Sequence, residues 1–299
     1  MAILQEKTEN LAGEGEVYAA PPADFKAFWP EIRSGYIFRN RRDFLAFMRE
    51  NHGRIYCLPR RDVPLPPFVL VGDWRSHSDT RALWQVKAEP RDREALIRGA
   101  SKACLAEGAE RLVTRPLSDL EAREYASWGF QPYCRVVLLE KALRGEPLPR
   151  ETEGIRISHF RGRDLEEVLK TDAAAFEDFW RLDRQTLVRI SGSCLRNVFL
   201  VARHGSRIYG YVIGGANGRL GYLQRLGVHP EFQGRGLGES LAGRLLHVLQ
   251  IMGAALVSVN TQEDNLPALS LYHKLGFRET GEKRFILQLT SRELPGSGR

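Results

Sequence analysis

The stretch that decides the fold is HPEFQGRGLGESLAG, which runs from His229 to Gly243. It places Gly234, Gly236 and Gly238 between an apolar run and a helical pattern. Glycine allows positive φ and leaves backbone N–H groups open to a ligand, and the start of a helix adds a partial positive charge. The stretch therefore predicts a phosphate-binding loop that joins a strand to a helix.

The residues around this loop predict an α/β fold with a mixed, mostly antiparallel sheet. Three β-like runs with two hairpin turns precede the loop, and leucines recur at helical spacing from Leu241 to Leu249 after it. A strand, a short helix over about residues 266–275 and a last strand, RFILQL, follow. The predicted order of the second half is β-α-α-β-β-β-α-β-α-β, with helices on both faces and RFILQL closing the sheet.

The chain also repeats itself. The pattern Tyr-x-x-x-Gly-Phe begins at Tyr125 and again at Tyr272, 147 residues later, whereas matching strand ends at Pro90 and Pro230 lie 140 residues apart. The first copy therefore lacks about seven residues at the position of the glycine loop, which predicts a tandem duplication whose first copy lost that loop. We predict domains over 1–147 and 154–290, a linker over 144–154 and a disordered tail.

The composition and charge of the chain argue against nucleic-acid-binding and membrane-spanning proteins. The net charge is +7, but it divides into +3 over residues 1–150 and +4 over residues 151–299, with no basic tail, which argues against nucleic acid as a partner. Only the short cluster RNRR, Arg39 to Arg42, offers a patch for an anionic substrate or RNA, and a solvated face is the simpler interpretation. No apolar run could cross a membrane, and the polar N-terminus has no signal-peptide core, so we expect a cytoplasmic protein.

The four cysteines and seven histidines show no spacing typical of metal ligands. Cys57, Cys104, Cys134 and Cys194 lie in or beside apolar stretches, so we interpret them as reduced core thiols. The sequence predicts no metal cofactor.

The loop and its flanks resemble the GNAT superfamily of acyl-CoA N-acetyltransferases. The residues that carry the resemblance are LGVHP before the loop, the loop itself from Gln233 to Gly238, and NLPALSLYHKLGF after it. The loop matches the family pattern Gln/Arg-x-x-Gly-x-Gly/Ala, and the resemblance covers about residues 154–290. It implies two tandem GNAT-like domains, of which the first is degenerate.

The resemblance implies acetyl-CoA as cosubstrate and a role for each matched residue. Loop backbone N–H groups would hold the pyrophosphate, and the loop residues concerned are Gln233, Gly234, Arg235, Gly236, Leu237, Gly238 and Glu239. The strand end Leu226, Gly227 and Val228 would pair with the pantetheine arm, and the Val228 N–H would polarise the thioester carbonyl. Asn265 would hydrogen-bond the pantetheine or cap a helix, and Ala268 would leave room for it. Tyr272 would protonate the leaving thiolate as general acid.

A general base is not evident from the sequence. Many family members carry a glutamate on a central strand, but GYLQRLGV and ALVSVN contain no carboxylate. Nearby acids are Glu177, Asp178, Glu231, Glu263 and Asp264, and none is singled out. We expect His229 to be structural, and a bound water or an amine that binds neutral would replace the base.

The sequence thus predicts an N-acetyltransferase that moves an acetyl group from acetyl-CoA to a primary amine of a small molecule or peptide. The segment FEDFWRLD could receive an aromatic or cationic amine. The first half would not catalyse and would pack against the second half to shape its acceptor site. Two alternatives stay open: an aminoacyl-tRNA-dependent transferase and a non-catalytic acetyl-CoA-binding regulator. Acyl chain length, oligomeric state and pathway do not follow from the sequence.

Overall fold

The structure is a computed structural model that describes residues 16–35, 37–60, 63–75, 77–149 and 153–291. The described chain divides into two compact units. The first comprises residues up to Cys134 together with those from Arg284 onwards, and the second runs from Arg135 to Lys283. The predicted tail, most of the polar N-terminus and the centre of the predicted linker lie outside the described residues.

The first unit has a mixed sheet between two helical layers. Its strands are β1 (Tyr18–Ala19), β2 (Arg54–Cys57), β3 (Phe68–Trp74), β4 (His77–Lys87) and β5 (Arg111–Thr114). Its helices are α1 (Phe25–Ile32), α2 (Arg41–Glu50), α3 (Pro90–Ala106) and α4 (Asp119–Ser127). Strands β1 to β4 pair antiparallel in sequence order, and β4 pairs parallel with β5. One core lies under α1 and α2 and a second lies under α3 and α4.

The second unit has the same plan. The strand β6 (Gln131–Ala142) leads into it, followed by β7 (Arg156–His159), β8 (Arg196–His204), β9 (Arg207–Asn217), β10 (Leu220–Val228), β11 (Leu256–Gln262) and β12 (Arg278–Thr290). Its helices are α5 (Leu165–Ala175), α6 (Arg184–Ser191), α7 (Leu237–Ile251) and α8 (Leu266–Lys274). Strands β7 to β10 pair antiparallel, and β10 pairs parallel with β11. The predicted element order and the mixed sheet with helices on both faces are confirmed.

Apolar spacing explains the helix that follows the glycine loop. Leu237, Leu241, Leu245 and Leu249 recur every four residues on α7, and all four are fully buried in the core of the second unit. Residues four apart lie on one face of a helix, so this stripe packs on the sheet while polar residues face outwards. The packing fixes the N-terminus of α7 at the end of β10, where the loop lies.

The closing strands are exchanged between the units. Residues 136–142 of β6 pair antiparallel with β11 in the second unit, whereas residues 288–290 of β12 pair with β5 in the first. The expectation that RFILQL closes the second sheet is therefore wrong. Both strands follow the same kind of helix, and β5 and β11 offer equivalent edges, so exchanged pairing satisfies the same backbone hydrogen bonds. The compact units consequently do not coincide with the ranges 1–147 and 154–290.

Corresponding irregularities occur at corresponding positions in both units. The pairing register shifts at Trp84 in β4 and at Gln224 in β10, 140 residues apart. Ser118 caps α4 and Asn265 caps α8, 147 residues apart, each through its side-chain oxygen. The two offsets equal those of the sequence repeat, so the units share a strand bulge and a capped tyrosine helix.

The four cysteines lie among the described residues and form no disulfide; Cys57, Cys104 and Cys194 are buried and Cys134 is half-buried. Among the described residues, no helix has the length and apolar character needed to cross a membrane.

Candidate acyl-CoA site

The central strand of the second unit ends in an opening. β10 pairs with β11 only from Leu220 to Leu223, whereas its pairing with β9 continues to Val228. The register shift at Gln224 bends β10 away from β11 at this point. Residues 225–228 therefore have one backbone edge without a strand partner in the described part of the chain.

The free edge presents the Val228 N–H to the opening. The His229 N–H donates to the Tyr209 carbonyl of β9 at 2.8 Å, and successive residues of a strand direct their backbone groups to opposite sides. The N–H groups of Val228 and Leu226 therefore point away from β9. The Val228 carbonyl accepts a hydrogen bond from Gln233 Nε2 at 2.9 Å, so the Val228 N–H is the group left for a ligand.

Gly227 is required here for packing. A Cβ at this position would lie 2.5 Å from the ring of Tyr211 on β9, closer than side chains tolerate. Because residues 225–228 have an unpaired backbone edge, an extended ligand could add to the sheet at the predicted strand end Leu226–Val228, as peptides do at sheet edges.

The glycine loop forms a run of unused backbone donors. Gly234 and Gly236 have φ of 72° and 80°, the left-handed region that favours glycine. Among the described residues, none of the N–H groups from Gly234 to Glu239 donates to a backbone carbonyl; the first intrahelical bond runs from Ser240 N to Gly236 O at 3.0 Å. Free N–H groups at the start of a helix form an anion site.

Side chains around the loop add both signs of charge. Glu239 forms an ion pair with Lys274 at 2.5 Å, so its carboxylate is neutralised beside the donors. Arg235 is exposed and lies 5.3 Å above the ring of Phe232. These residues border a cavity of about 1010 Å³. Its other lining residues are Glu146, Pro147, Leu148, Pro149, Glu153, Gly236, Ser240, Gly243, Leu246 and Leu275.

Tyr272 lies in the core beside the loop with an uncommitted hydroxyl. It is 6% exposed, its ring centroid lies 5.7 Å from that of Phe277, and no described residue hydrogen-bonds to its hydroxyl. Burial raises the pKa of Tyr272 to about 12, against the opposing positive charge of Arg225. The phenol is therefore protonated at neutral pH and free to donate a proton.

Asn265 caps α8, as the sequence allowed. Its Oδ1 accepts from the Ala268 N–H at 3.2 Å, while no described residue accepts from its Nδ2. The amide therefore has donors left for a ligand, and the pantetheine role of Asn265 and Ala268 stays a prediction.

An Asn265→Asp variant separates these two roles. The carboxylate still caps the helix, so we expect the melting temperature to change by no more than a few degrees. The lost N–H donor would weaken acetyl-CoA binding about 10-fold, because a ligand carbonyl would be left unpaired. Calorimetric titration measures the affinity, and Ser118→Asp, which likewise keeps a capping oxygen at the corresponding helix of the first unit, is the control. An unchanged affinity in Asn265→Asp would rule out the ligand role.

The site also contains a buried ion pair that sequence reasoning missed. Arg225, on β10, donates to Asp172 on α5 through Nε at 3.0 Å and through Nη2 at 2.7 Å. Asp172 is fully buried and also accepts from the Leu182 N–H and the Tyr211 hydroxyl. Arginine inside the apolar run GYLQRLGV was the available signal, because a buried charge needs a partner.

The acidic residues considered as bases occupy unsuitable positions. Glu263 pairs with Lys283 at 2.6 Å and Arg135 at 3.1 Å, and these cations, the Lys283 hydrogen bond foremost, lower its pKa. Asp178 pairs with Arg181, and Glu177, Glu231 and Asp264 are exposed. The His229 Nδ1 accepts from the Glu231 N–H at 3.4 Å, which is a structural turn contact. The structure thus identifies no base among them.

The helix start of α3, which corresponds to the start of α7, has few backbone N–H groups available for a ligand. Pro90 opens α3 and has no N–H to offer, and the buried carboxylate of Asp92 lies in the first turn, paired with Arg60. The Asp92 N–H already donates to the Glu89 carbonyl at 2.9 Å, so this helix start offers a phosphate fewer free donors than the glycine loop does. Among the described residues, no cluster of His, Cys, Asp and Glu is placed to hold a metal ion.

Comparison with known proteins agrees with this geometry. Residues 165–277 match the sequence model of the Acetyltransferase (GNAT) family. Residues 165–277 are a GNAT-family domain. The match supports acyltransferase chemistry with an acyl-CoA in general, and it covers the loop, the strand opening and Tyr272.

Solved structures share the tandem fold of the GNAT-like units. A tandem GNAT protein from the clavulanic acid biosynthesis pathway aligns with a TM-score of 0.69 and 15% identity, over 92% of this chain and 98% of that one. A GCN5-related N-acetyltransferase from Sphaerobacter thermophilus gives 0.60 and 17%, over 96% and 98%. A GCN5-related glucosamine N-acetyltransferase region of a fungal multi-domain β-N-acetylglucosaminidase gives 0.64 and 15%, over 93% and 38%. These similarities establish the fold.

Proposed function

We propose that this protein is an acetyl-CoA-dependent N-acetyltransferase whose single active site lies in the second unit. The observation that carries the proposal is the run of free N–H groups from Gly234 to Glu239, placed at the end of an unpaired strand edge and beside Tyr272. The acceptor is a primary amine of a small molecule or peptide. Four cysteines without a disulfide among the described residues support a reducing compartment such as the cytoplasm.

The geometry supports a direct transfer. The loop donors would hold the pyrophosphate, the edge of Leu226–Val228 would bind the pantetheine arm, and the Val228 N–H would polarise the thioester carbonyl. The cavity bordered by Phe232, Arg235 and Lys274 has room for the nucleotide end. A neutral amine attacks the carbonyl carbon, the C–S bond breaks, and Tyr272 donates its proton to the departing sulfur. The tyrosinate then recovers a proton from the amine through water.

The first unit would not bind acetyl-CoA. Its helix α3 lacks the glycine loop, and at its start Pro90 has no N–H and the Asp92 N–H already donates to the Glu89 carbonyl. The strand that follows its last helix completes the active unit instead, since residues 136–142 of β6 pair with β11.

The test is an acetyl-transfer assay with the purified chain, acetyl-CoA and a panel of primary amines, in which released thiol is measured. We expect turnover on at least one class of amine, well above the hydrolysis seen without amine. Binding of acetyl-CoA without turnover on any amine would instead indicate a regulator. A strong, salt-sensitive affinity for tRNA would indicate an aminoacyl transferase.

A further inference from the structure

The guanidinium of Arg225 is held in one position at the strand opening. Its side chain is only 11% exposed, and Nε and Nη2 both donate to the fully buried Asp172. Nη2 also donates to the Trp180 carbonyl at 2.8 Å, and the ring centroid of Phe176 lies 3.4 Å from Cζ. The group is therefore clamped on two edges and on one face.

The third edge of the guanidinium is unused. Arginine has five N–H donors, and the contacts to Asp172 and Trp180 occupy those on Nε and Nη2. No described residue accepts from Nη1. The two N–H groups of Nη1 are therefore free to donate to an acceptor atom brought by a ligand.

Arg225 belongs to the strand opening in which the acyl group would lie. Arg225 belongs to the side of the sheet covered by α5, because it binds Asp172 on that helix, whereas Tyr272 belongs to the core under α7. The charge of Arg225 nevertheless acts on the Tyr272 hydroxyl and opposes the rise of its pKa. Arg225 is also the first residue of the segment 225–228 that has no partner on β11, three residues before Val228, so it belongs to the opening where acetyl transfer would occur.

The surrounding charges favour a carboxylate as the missing acceptor. Asp172 is already saturated, since it also accepts from the Leu182 N–H and the Tyr211 hydroxyl. The strands β10 and β11 carry no Asp or Glu, so no strand side chain there could bind a second ammonium group of a polyamine. A carboxylate gives Arg225 a charge-assisted hydrogen bond, which is stronger than one to a neutral carbonyl.

We propose that Arg225 Nη1 binds a carboxylate of the amine acceptor, so that the substrate is a small amino-carboxylic acid such as an amino acid. This inference rests on the proposed function. Because Arg225 and Val228 are three residues apart on the same strand, about 10 Å, the carboxylate and the amine must belong to one small molecule. Arg225 would thus be a specificity-determining residue.

The test compares matched pairs of product analogues. The probes are N-acetyl derivatives of glycine, leucine and phenylalanine and the primary amide of each, titrated calorimetrically into the chain saturated with CoA. We expect at least one acid to bind about 10-fold or more tighter than its amide, which is the contribution of the charged group. Equal affinities for acid and amide in every pair, or binding of neither at millimolar concentration, would overturn the proposal.

Variants separate binding from positioning. Arg225→Lys keeps a cation opposite Asp172 but removes the Nη1 edge, so we expect the acid-to-amide ratio to fall to about 1. If Arg225 had a purely structural role, the variant would bind the acid and the amide with equally reduced affinity. An unchanged acid-to-amide ratio would therefore overturn the proposal. The double variant Asp172→Asn with Arg225→Gln removes both buried charges, and its acid-to-amide affinity ratio should also be about 1. This readout needs no turnover. A chain that does not bind CoA at all would therefore contradict the proposed function, not the role of Arg225.

Discussion

Tyr272→Phe lowers kcat by about 100- to 1000-fold, while the affinity for acetyl-CoA is unchanged. The variant removes only the hydroxyl proton donor, and the loss of a general acid typically costs this much. The Tyr272 hydroxyl has no partner among the described residues, and the ring contact with Phe277 remains, so the fold loses no internal hydrogen bond. Steady-state kinetics with saturating acetyl-CoA measures the change.

The first unit supplies a matched control. Tyr125 is 4% exposed and its ring centroid lies 5.3 Å from that of Phe130, so Tyr125→Phe makes the same chemical change in the same setting. We expect normal kcat from that variant. Because burial raises the pKa of Tyr272 to about 12, the wild-type enzyme keeps its acid protonated through the usual assay range. A loss of activity centred near pH 8 to 9 that disappears in Tyr272→Phe would contradict this assignment.

Gly236→Val weakens acetyl-CoA binding at least about 100-fold, because a β-branched residue strongly disfavours positive φ and the loop must rearrange. Gly236 has φ of 80° and caps α7, so the rearrangement would turn the loop N–H groups away from the pyrophosphate. Calorimetric titration measures the affinity.

Gly253→Val controls for the general cost of strain. Gly253 has φ of 89° at the opposite end of the same helix, and a Cβ added at either glycine would enter open space. Both variants should lose a similar free energy of unfolding, about 1–3 kcal/mol. Only Gly236→Val should lose ligand binding; equal losses of affinity in the two would mean that the loop has no specific role.

The sequence correctly predicted those features that depend on residues close together in the chain. The glycine loop, the cap at Asn265 and the apolar stripe on α7 each depend on residues within one or two turns, and the structure has the loop, cap and stripe where they were predicted. The strand bulge at Gln224 has no such local signal, because a register shift depends on the neighbouring strand.

Other features depend on contacts between residues that are far apart in the sequence. The sequences of β6 and β12 suit β5 and β11 equally well, so the strand exchange could not be chosen from pattern alone. Arg225 and Asp172 are 53 residues apart, and each alone resembles an isolated charge in an apolar segment. Only the fold brings them together, and that contact carries the inference about the acceptor.

The most direct measurement is a calorimetric titration of the purified chain with acetyl-CoA, read for its stoichiometry. The free N–H groups from Gly234 to Glu239 predict a site in the second unit, and the start of α3, without a glycine loop and with Pro90 as its first residue, predicts none in the first. We therefore expect one molecule bound per chain. Two molecules per chain would show that a unit without the loop also binds, and no binding would contradict the acetyl-CoA-dependent function itself.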